Sequence, residues 1–170
     1  MERSSDPRPG EPTDLALRDD LTGAWNRRYL RQLLEEDWAE VVASQGTVTL
    51  LVLDLDFFKE INDTHGHLAG DIVLQRASQQ LRASFRAEDR LIRYGGDEFL
   101  ISLPGADLAI GQKVIGHIRE QIAGTPIVAS PAGHPIATTA SFGLALLEPD
   151  IGVEESIDRA DKPLLVDKAA

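Results

Sequence analysis

The chain has 170 residues, 42% of them hydrophobic, the size of one domain with one core, and its lack of cysteine excludes disulfides and thiolate metal sites. A formal net charge of −11 argues against non-specific nucleic-acid binding, which needs a basic face, yet admits a nucleotide whose charge a metal ion neutralises. The longest apolar run, from Val48 to Leu53, is far short of a membrane span, and the polar start MERSSDPRPGEPT has no apolar signal core; a cytoplasmic location without membrane contact by this segment is expected.

Residues 1–13, with Pro7, Pro9, Pro12, Gly10 and two serines, read as a flexible linker from an upstream regulatory region, and 14–170 as the folded domain. From Asn26 a helix is predicted, with Leu30, Leu33, Leu34, Trp38, Val41 and Val42 at helical spacing and Gly46 at its end. The β-branched, apolar stretch from Thr47 to Leu55 reads as a buried strand. A second helix is predicted over about 67–86, with Leu68, Ile72, Ala77, Leu81 and Phe85 on one face.

Strands at about 90–94 and 98–103 flank Gly95-Gly96, a hairpin signal. A helix over about 108–123 turns Val114, Ile115, Ile118 and Ile122 inward. Pro126 to Val128 begins a short strand, His134 to Leu147 forms another, and a last helix starts near Val153. This order predicts an α/β fold, an α+β sandwich whose central, mostly antiparallel sheet of about five strands is flanked by helices.

Two acidic pairs stand out. Asp54 and Asp56 end the first strand, in LVLDLDFFKEIND, where alternation puts both carboxylates on one face and Leu55 on the other. Carboxylates are rarely buried unless paired or metal-bound, although a solvated strand end explains the pair equally well. Asp97-Glu98 directly follows Gly95-Gly96, and a glycine pair lets the backbone approach a bulky ligand. Carboxylates from neighbouring strands suit one or two Mg²⁺ ions; alone, Gly-Gly-Asp is also a common surface turn.

Taken in order, DDLTGAWNRR at 19–28, DLDFFKEINDTHGHLAGD at 54–71, YGGDEF at 94–99, ASFGLAL at 140–146 and ADK at 160–162 resemble the motifs of the diguanylate cyclase family, named for its GGDEF signature. The resemblance covers nearly everything after the linker. It implies the GGDEF, nucleotidyl-cyclase-like fold with the signature on a β-hairpin. It also implies an enzyme that condenses two GTP into cyclic di-GMP and two pyrophosphates. One site holds one GTP, so the active form is expected to be a two-fold homodimer.

Position by position, the resemblance implies Asp54 and Asp97 as metal carboxylates, with the Leu55 carbonyl assisting, for Mg²⁺ or alternatively Mn²⁺. Glu98 joins Asp97 in the catalytic signature; either Asp97 or a metal-bound hydroxide is implied as acceptor of the 3′-hydroxyl proton. Asn62 and Asp71 match the pair that reads guanine, whose N1–H and amino group a carboxylate accepts and adenine lacks. Phe57, Phe58 and Lys59 match the segment that wraps the triphosphate, Gly95 and Gly96 border it, and Lys168 aligns with a phosphate-contacting lysine. Arg86-Ala87-Glu88-Asp89 resembles the family's inhibitory RxxD site for cyclic di-GMP, with Arg93 in the same system; a solvated helix end accounts for the same spacing.

Other residues read as structural: His65 and His67 as capping or packing groups, Trp25 and Trp38 as core or rim aromatics. The last motif departs from the family. In ADKPLLVDKAA, Pro163 stands where alanine is expected, Leu165 replaces a tyrosine, and the arginine of the tail is missing. An interior proline costs a helix about 3 kcal/mol, so weakened triphosphate affinity is expected. A degenerate domain that only binds GTP or cyclic di-GMP is the alternative. A cyclase for adenine-containing products is a lesser one, which Asp71 opposes.

Overall fold

The apolar run Val48–Leu55 forms β1, in which every residue but Asp54 is fully buried. In the computed structural model, which describes residues 14–128, 133–147 and 154–161, β1 is a central strand. It pairs antiparallel with β3 (Glu98–Pro104) on one side and with β6 (Ala140–Leu146) on the other. β2 (Arg90–Arg93) adds to the outer edge of β3, giving a four-stranded antiparallel sheet in the order β2-β3-β1-β6.

The sheet has one strand fewer than expected because the short strand expected at 126–128 does not join it, and the segment read as a single strand over 134–147 divides. Pro135–Ile136 forms β5 and pairs with β4 (Ile127–Val128) in a separate two-stranded ribbon. Pro135 has no N–H to donate, which suits such an edge and not a central ladder.

Alternation along β1 assigns its two faces. Leu51, Leu53 and Leu55 pack against α3 (His67–Ala83) and α4 (Leu108–Gly124), through Val73, Leu74, Ala77 and Leu81 of the first and Ile115, Ile118 and Ile122 of the second. Val48, Leu50 and Val52 pack against Tyr29, Leu30 and Trp38 of α1 (residues 27–45) and against Ile157 and Ala160 of α5, helical at 154–161. Helices therefore cover both faces, as the sandwich reading requires.

The first helix, α1, opens at Arg27–Tyr29, widens to π geometry over Leu30–Leu34 and continues over Glu35–Gln45. Asn26 caps it, accepting from the Tyr29 N–H at 3.1 Å, and Gly46 follows its end, as the sequence predicts. The π turn carried no sequence signal.

Two helical expectations need correction. The second helix ends at Ala83 and not near 86; Phe85 packs on the core from beyond it. Leu68 is 81% exposed. At 100° per residue it lies about 180° around the helix from Ala77, near the centre of the buried face. A helix that the sequence reading left out, α2 (Phe58–His65), precedes α3 across Gly66. It buries only Ile61 fully, so it has no apolar stripe to reveal it.

Gly143 of β6 fixes the last helix. A Cβ there would run into the main-chain carbonyl of Ala160, so only glycine lets α5 lie this close to the sheet. No helix among the described residues is long and apolar enough to cross a membrane. Pro163, Leu165 and Lys168, like the linker 1–13, lie outside the described residues.

Candidate active site

The acidic motifs meet where β1, β3 and β6 end together. Asp54 is directly opposite Glu98 on β3 and Ser141 on β6. One residue on, the Leu55 N–H donates to the Asp97 carbonyl at 3.1 Å, stitching the signature turn to the end of β1. The turn closes on itself as the N–H groups of Tyr94 and Gly95 both donate to the Glu98 carbonyl, at 2.8 and 3.2 Å. Neither Gly95 nor Gly96 has a positive φ, and a Cβ on Gly96 would meet nothing within 4 Å. The fold alone does not demand the glycine pair. Gly96 leaves open space over the backbone, whereas a Cβ on Gly95 would touch the Glu98 side chain.

Arg93 braces this turn from below. Its guanidinium donates to the Gly96 carbonyl at 2.9 Å and to both carboxylate oxygens of Asp19, at 3.2 and 3.1 Å. Asp19 also accepts from the N–H and hydroxyl of Thr22, at 2.9 and 2.7 Å. Burial alone would raise the Asp19 carboxyl, but the bonds from Thr22 and Arg93 outweigh it and leave the group below its usual value. The DDLTG turn is thus strutted to the signature, a link between segments 74 residues apart that the sequence did not disclose.

Glu98 is pushed up to about 7, first by burial and then by the charges of Asp161, Asp54 and Asp97. The site therefore gathers four carboxylates from β1, the signature and α5. Asp161 was missed as a site residue. Its ADK motif was visible, but only the packing of α5 on Gly143 brings its carboxylate to Glu98. Asp54 Oδ1 and Asp161 Oδ1 are sealed from solvent.

Crowded carboxylates of this kind favour a cation or a proton between them. An all-oxygen donor set fits a hard divalent ion such as Mg²⁺ or Mn²⁺. Among the described residues, no three Asp, Glu or His side chains converge at ligand distances by themselves. An ion here would complete its shell with main-chain, water or phosphate oxygens.

Asp56, the first residue after β1, has partners of its own: its two oxygens accept from the hydroxyls of Thr139 and Ser141, at 2.7 and 2.6 Å. After it, Phe57 adopts a left-handed conformation, φ +55°, with its ring 74% exposed, and begins α2 without a side-chain cap. The first N–H groups of a helix have no acceptor within it and suit an anion. Phe58 and the exposed Lys59 occupy this first turn, with Phe58 partly buried on the core.

Asn62 on α2 and Asp71 on α3 meet at the junction of these helices. The Asn62 side chain occupies the space that a Cβ on Gly70 would need, immediately beside Asp71. Asn62, expected with Asp71 to read the base, thus packs against the residue that precedes Asp71.

Arg86 and Asp89 form a closed pair away from the signature. The Arg86 N–H and guanidinium donate to Asp89 at 2.9 and 3.3 Å, and the Asp89 side chain is only 4% exposed. The pair borders a cavity of about 380 Å³ that Arg18, Arg82, Arg90 and Trp25 also line. Burial, and then the neighbouring Arg18, lower the Arg82 guanidinium. Arg93 does not line this cavity, being engaged under the signature turn.

The family model "Diguanylate cyclase, GGDEF domain" matches residues 16–170. The chain is 39% identical over 155 residues to diguanylate cyclase DgcP of Pseudomonas aeruginosa, covering 91% of this chain and 23% of that protein. It is 34% identical over 158 residues to the response regulator PleD of Caulobacter vibrioides, covering 92% of this chain and 35% of that one. The chain thus spans about a quarter to a third of these relatives. Among solved structures, diguanylate cyclase SiaD of Pseudomonas aeruginosa, in complex with its activator SiaC, superposes with a TM-score of 0.83 at 32% identity, over 92% of this chain and 59% of that one. The coiled coil and GGDEF domain of DgcB from Caulobacter crescentus, in complex with c-di-GMP, superposes with a TM-score of 0.84 at 28% identity, over 92% and 82%. With its own signature turn set against the Asp54 end of β1, the chain belongs to the GGDEF-domain family of diguanylate cyclases.

Proposed function

We propose that this domain condenses two GTP molecules into cyclic di-GMP, with release of two pyrophosphates, as a divalent-metal-dependent homodimer. The observation that carries this reading is the junction of Asp54 with the Asp97-Glu98 turn, beside open space at Gly96 and near the uncapped start of α2. Family membership supports it.

Mg²⁺, or Mn²⁺, held by Asp54, Asp97 and the Leu55 carbonyl, would supply charge neutralisation at the reacting phosphate. Asn62 and Asp71 hold the guanine edge and select it over adenine. The N–H groups of Phe57, Phe58 and Lys59 hold the phosphates, with the Lys59 ammonium adding charge. Asp97 and Glu98 border the reacting centre, and Asp97 is the group to which the 3′-hydroxyl proton is assigned. Each copy presents one GTP to its partner, and attack of each 3′-oxygen on the other α-phosphate closes the ring. Such a domain works where GTP is made, in the cytoplasm.

Cyclic di-GMP is also proposed to bind at Arg86 and Asp89 as an inhibitor. Opening the Arg86–Asp89 pair frees a fork for phosphate or guanine and an acceptor for guanine N–H groups. The altered segment after residue 162 favours a second reading, a receptor for GTP or cyclic di-GMP without turnover.

Incubation with GTP and Mg²⁺ at high protein concentration, products resolved by chromatography, separates the two. Cyclic di-GMP that disappears with Asp97→Ala is the expected result. A folded, dimeric domain that binds nucleotide and makes no product overturns the cyclase reading in favour of the receptor.

A further inference from the structure

Of the two aspartates that end β1, Asp56 has no part assigned by the proposed chemistry. Strand alternation gives it the same face as Asp54, yet one of its oxygens is committed to Ser141 of β6 and the other to Thr139, just before that strand. Its own N–H donates to the Thr139 carbonyl at 2.8 Å, so residues 56 and 139 are tied through main chain and side chain together. Ser141, 4% exposed and in register with Asp54, gives its hydroxyl to Asp56 at 2.6 Å. Hydroxyl bonds to a carboxylate are short and strong, and two of them leave the side chain little freedom to turn towards the metal carboxylates.

The next residue shows what the clamp restrains. Phe57 is the only non-glycine residue with positive φ among the described residues, and its exposed ring gains no burial in return. A bulky residue held left-handed costs free energy and persists only where its surroundings over-determine it. On one side of Phe57 stands the clamped Asp56; on the other, the Phe57 carbonyl accepts the first bond of α2, from the Ile61 N–H at 3.1 Å. Releasing residue 56 would let Phe57 relax, and the first turn of α2 would turn with it.

We propose that Asp56, clamped by the hydroxyls of Thr139 and Ser141, is a positioning residue that holds Phe57 left-handed and so aims the first N–H groups of α2 at the triphosphate of GTP. The second half of this statement rests on the cyclase reading; the clamp itself does not. A carboxamide can accept from one hydroxyl and donate to the other, so Asp56→Asn keeps a weaker clamp, whereas Asp56→Ala removes it.

The test pairs a ligand-free readout with a ligand-bound one. Amide exchange at Ile61 is to be measured in the parent, in Asp56→Ala, in Asp56→Asn and in Thr139→Val with Ser141→Ala. Binding of GTP and of guanosine is measured in the same proteins. Asp56→Ala and the hydroxyl double variant should each speed Ile61 exchange and weaken GTP about tenfold, leaving guanosine unchanged, and Asp56→Asn should stay within about threefold of the parent. Combining Asp56→Ala with the hydroxyl variant should add little, since both cut the same clamp.

Unchanged exchange at Ile61 overturns the clamp. Faster exchange with unchanged GTP affinity overturns its aim at the phosphates, as does an equal loss of guanosine. If Asp56→Ala does not fold, the hydroxyl double variant, which retains the carboxylate, decides by the same criteria. A parent domain that binds no GTP defeats the cyclase reading instead, and Ile61 exchange alone then decides the clamp.

Discussion

Glu98 keeps its proton up to about pH 7 in the folded domain, against 4.5 for an ordinary glutamate, because burial and then Asp161, Asp54 and Asp97 disfavour its charge. Between those values the folded state binds more protons than the unfolded chain. Stability contributed by this group is thus fully present below about pH 4.5 and is lost as pH rises through about 7. Glu98→Gln should therefore raise the Tm of the metal-free domain at pH 8 and leave it nearly unchanged at pH 4.5, by thermal unfolding in the presence of a chelator. An equal change at both pH values would assign the effect to packing and not to charge. At this scale the sequence singled out Asp54, Asp97 and Glu98, which the fold brings together, and was silent about how Asp54 and Asp56 differ. Alternation gave Asp54 and Asp56 one face, but the hydroxyls that claim Asp56 come from residues 83 and 85 positions away. Asp161 escaped notice for the same reason: its closeness to Glu98 is made by a helix–sheet contact, which no local pattern encodes.

Among the elements, those with a strong period or a clear boundary were legible. β1 is buried on both faces and reads as a continuous apolar run; α1 starts at the Asn26 cap and stops at Gly46. The elements that escaped are those whose form depends on partners. α2 has eight residues and one fully buried side chain, too little for a periodic signal. The split between β5 and β6 follows from Asp56 drawing Thr139 to the end of β1, a contact from outside the segment. Contact between α5 and β6 has a test at this scale. In Gly143→Ala the new methyl meets the Ala160 carbonyl, a backbone atom that cannot rotate away. The domain should lose about 1–3 kcal/mol by chemical denaturation, the usual cost of overpacking. As α5 moves off, Asp161 should leave Glu98, and the Glu98 carboxyl should titrate lower, as followed by carboxyl NMR. Lost stability with an unmoved Glu98 would mean that α5 yields without carrying Asp161 away.

At the scale of the whole molecule, the alternation of helices and strands sufficed for the sandwich, while the strand count depended on long-range pairing. Charge has a consequence at this scale that no single contact shows. On the proposed mechanism two copies must meet for one product to form, yet each has a formal charge of −11. Like-charged partners repel over a Debye length of roughly 10 Å at 0.1 M salt, and added salt shortens that reach. Below the concentration at which the dimer saturates, the rate per molecule should rise in proportion to protein concentration. At fixed protein and saturating GTP and Mg²⁺, moderate salt should raise that rate, because screening favours the encounter more than it harms an already saturated nucleotide site. Initial rates of pyrophosphate release over a hundredfold range of protein, at two ionic strengths, check both. A rate per molecule independent of concentration would mean either a dimer that never dissociates in that range or chemistry within one copy; sedimentation of the same samples tells these apart. The proposed mechanism gives one copy one GTP, so a sedimenting monomer with full activity would remove the basis of its two-fold arrangement.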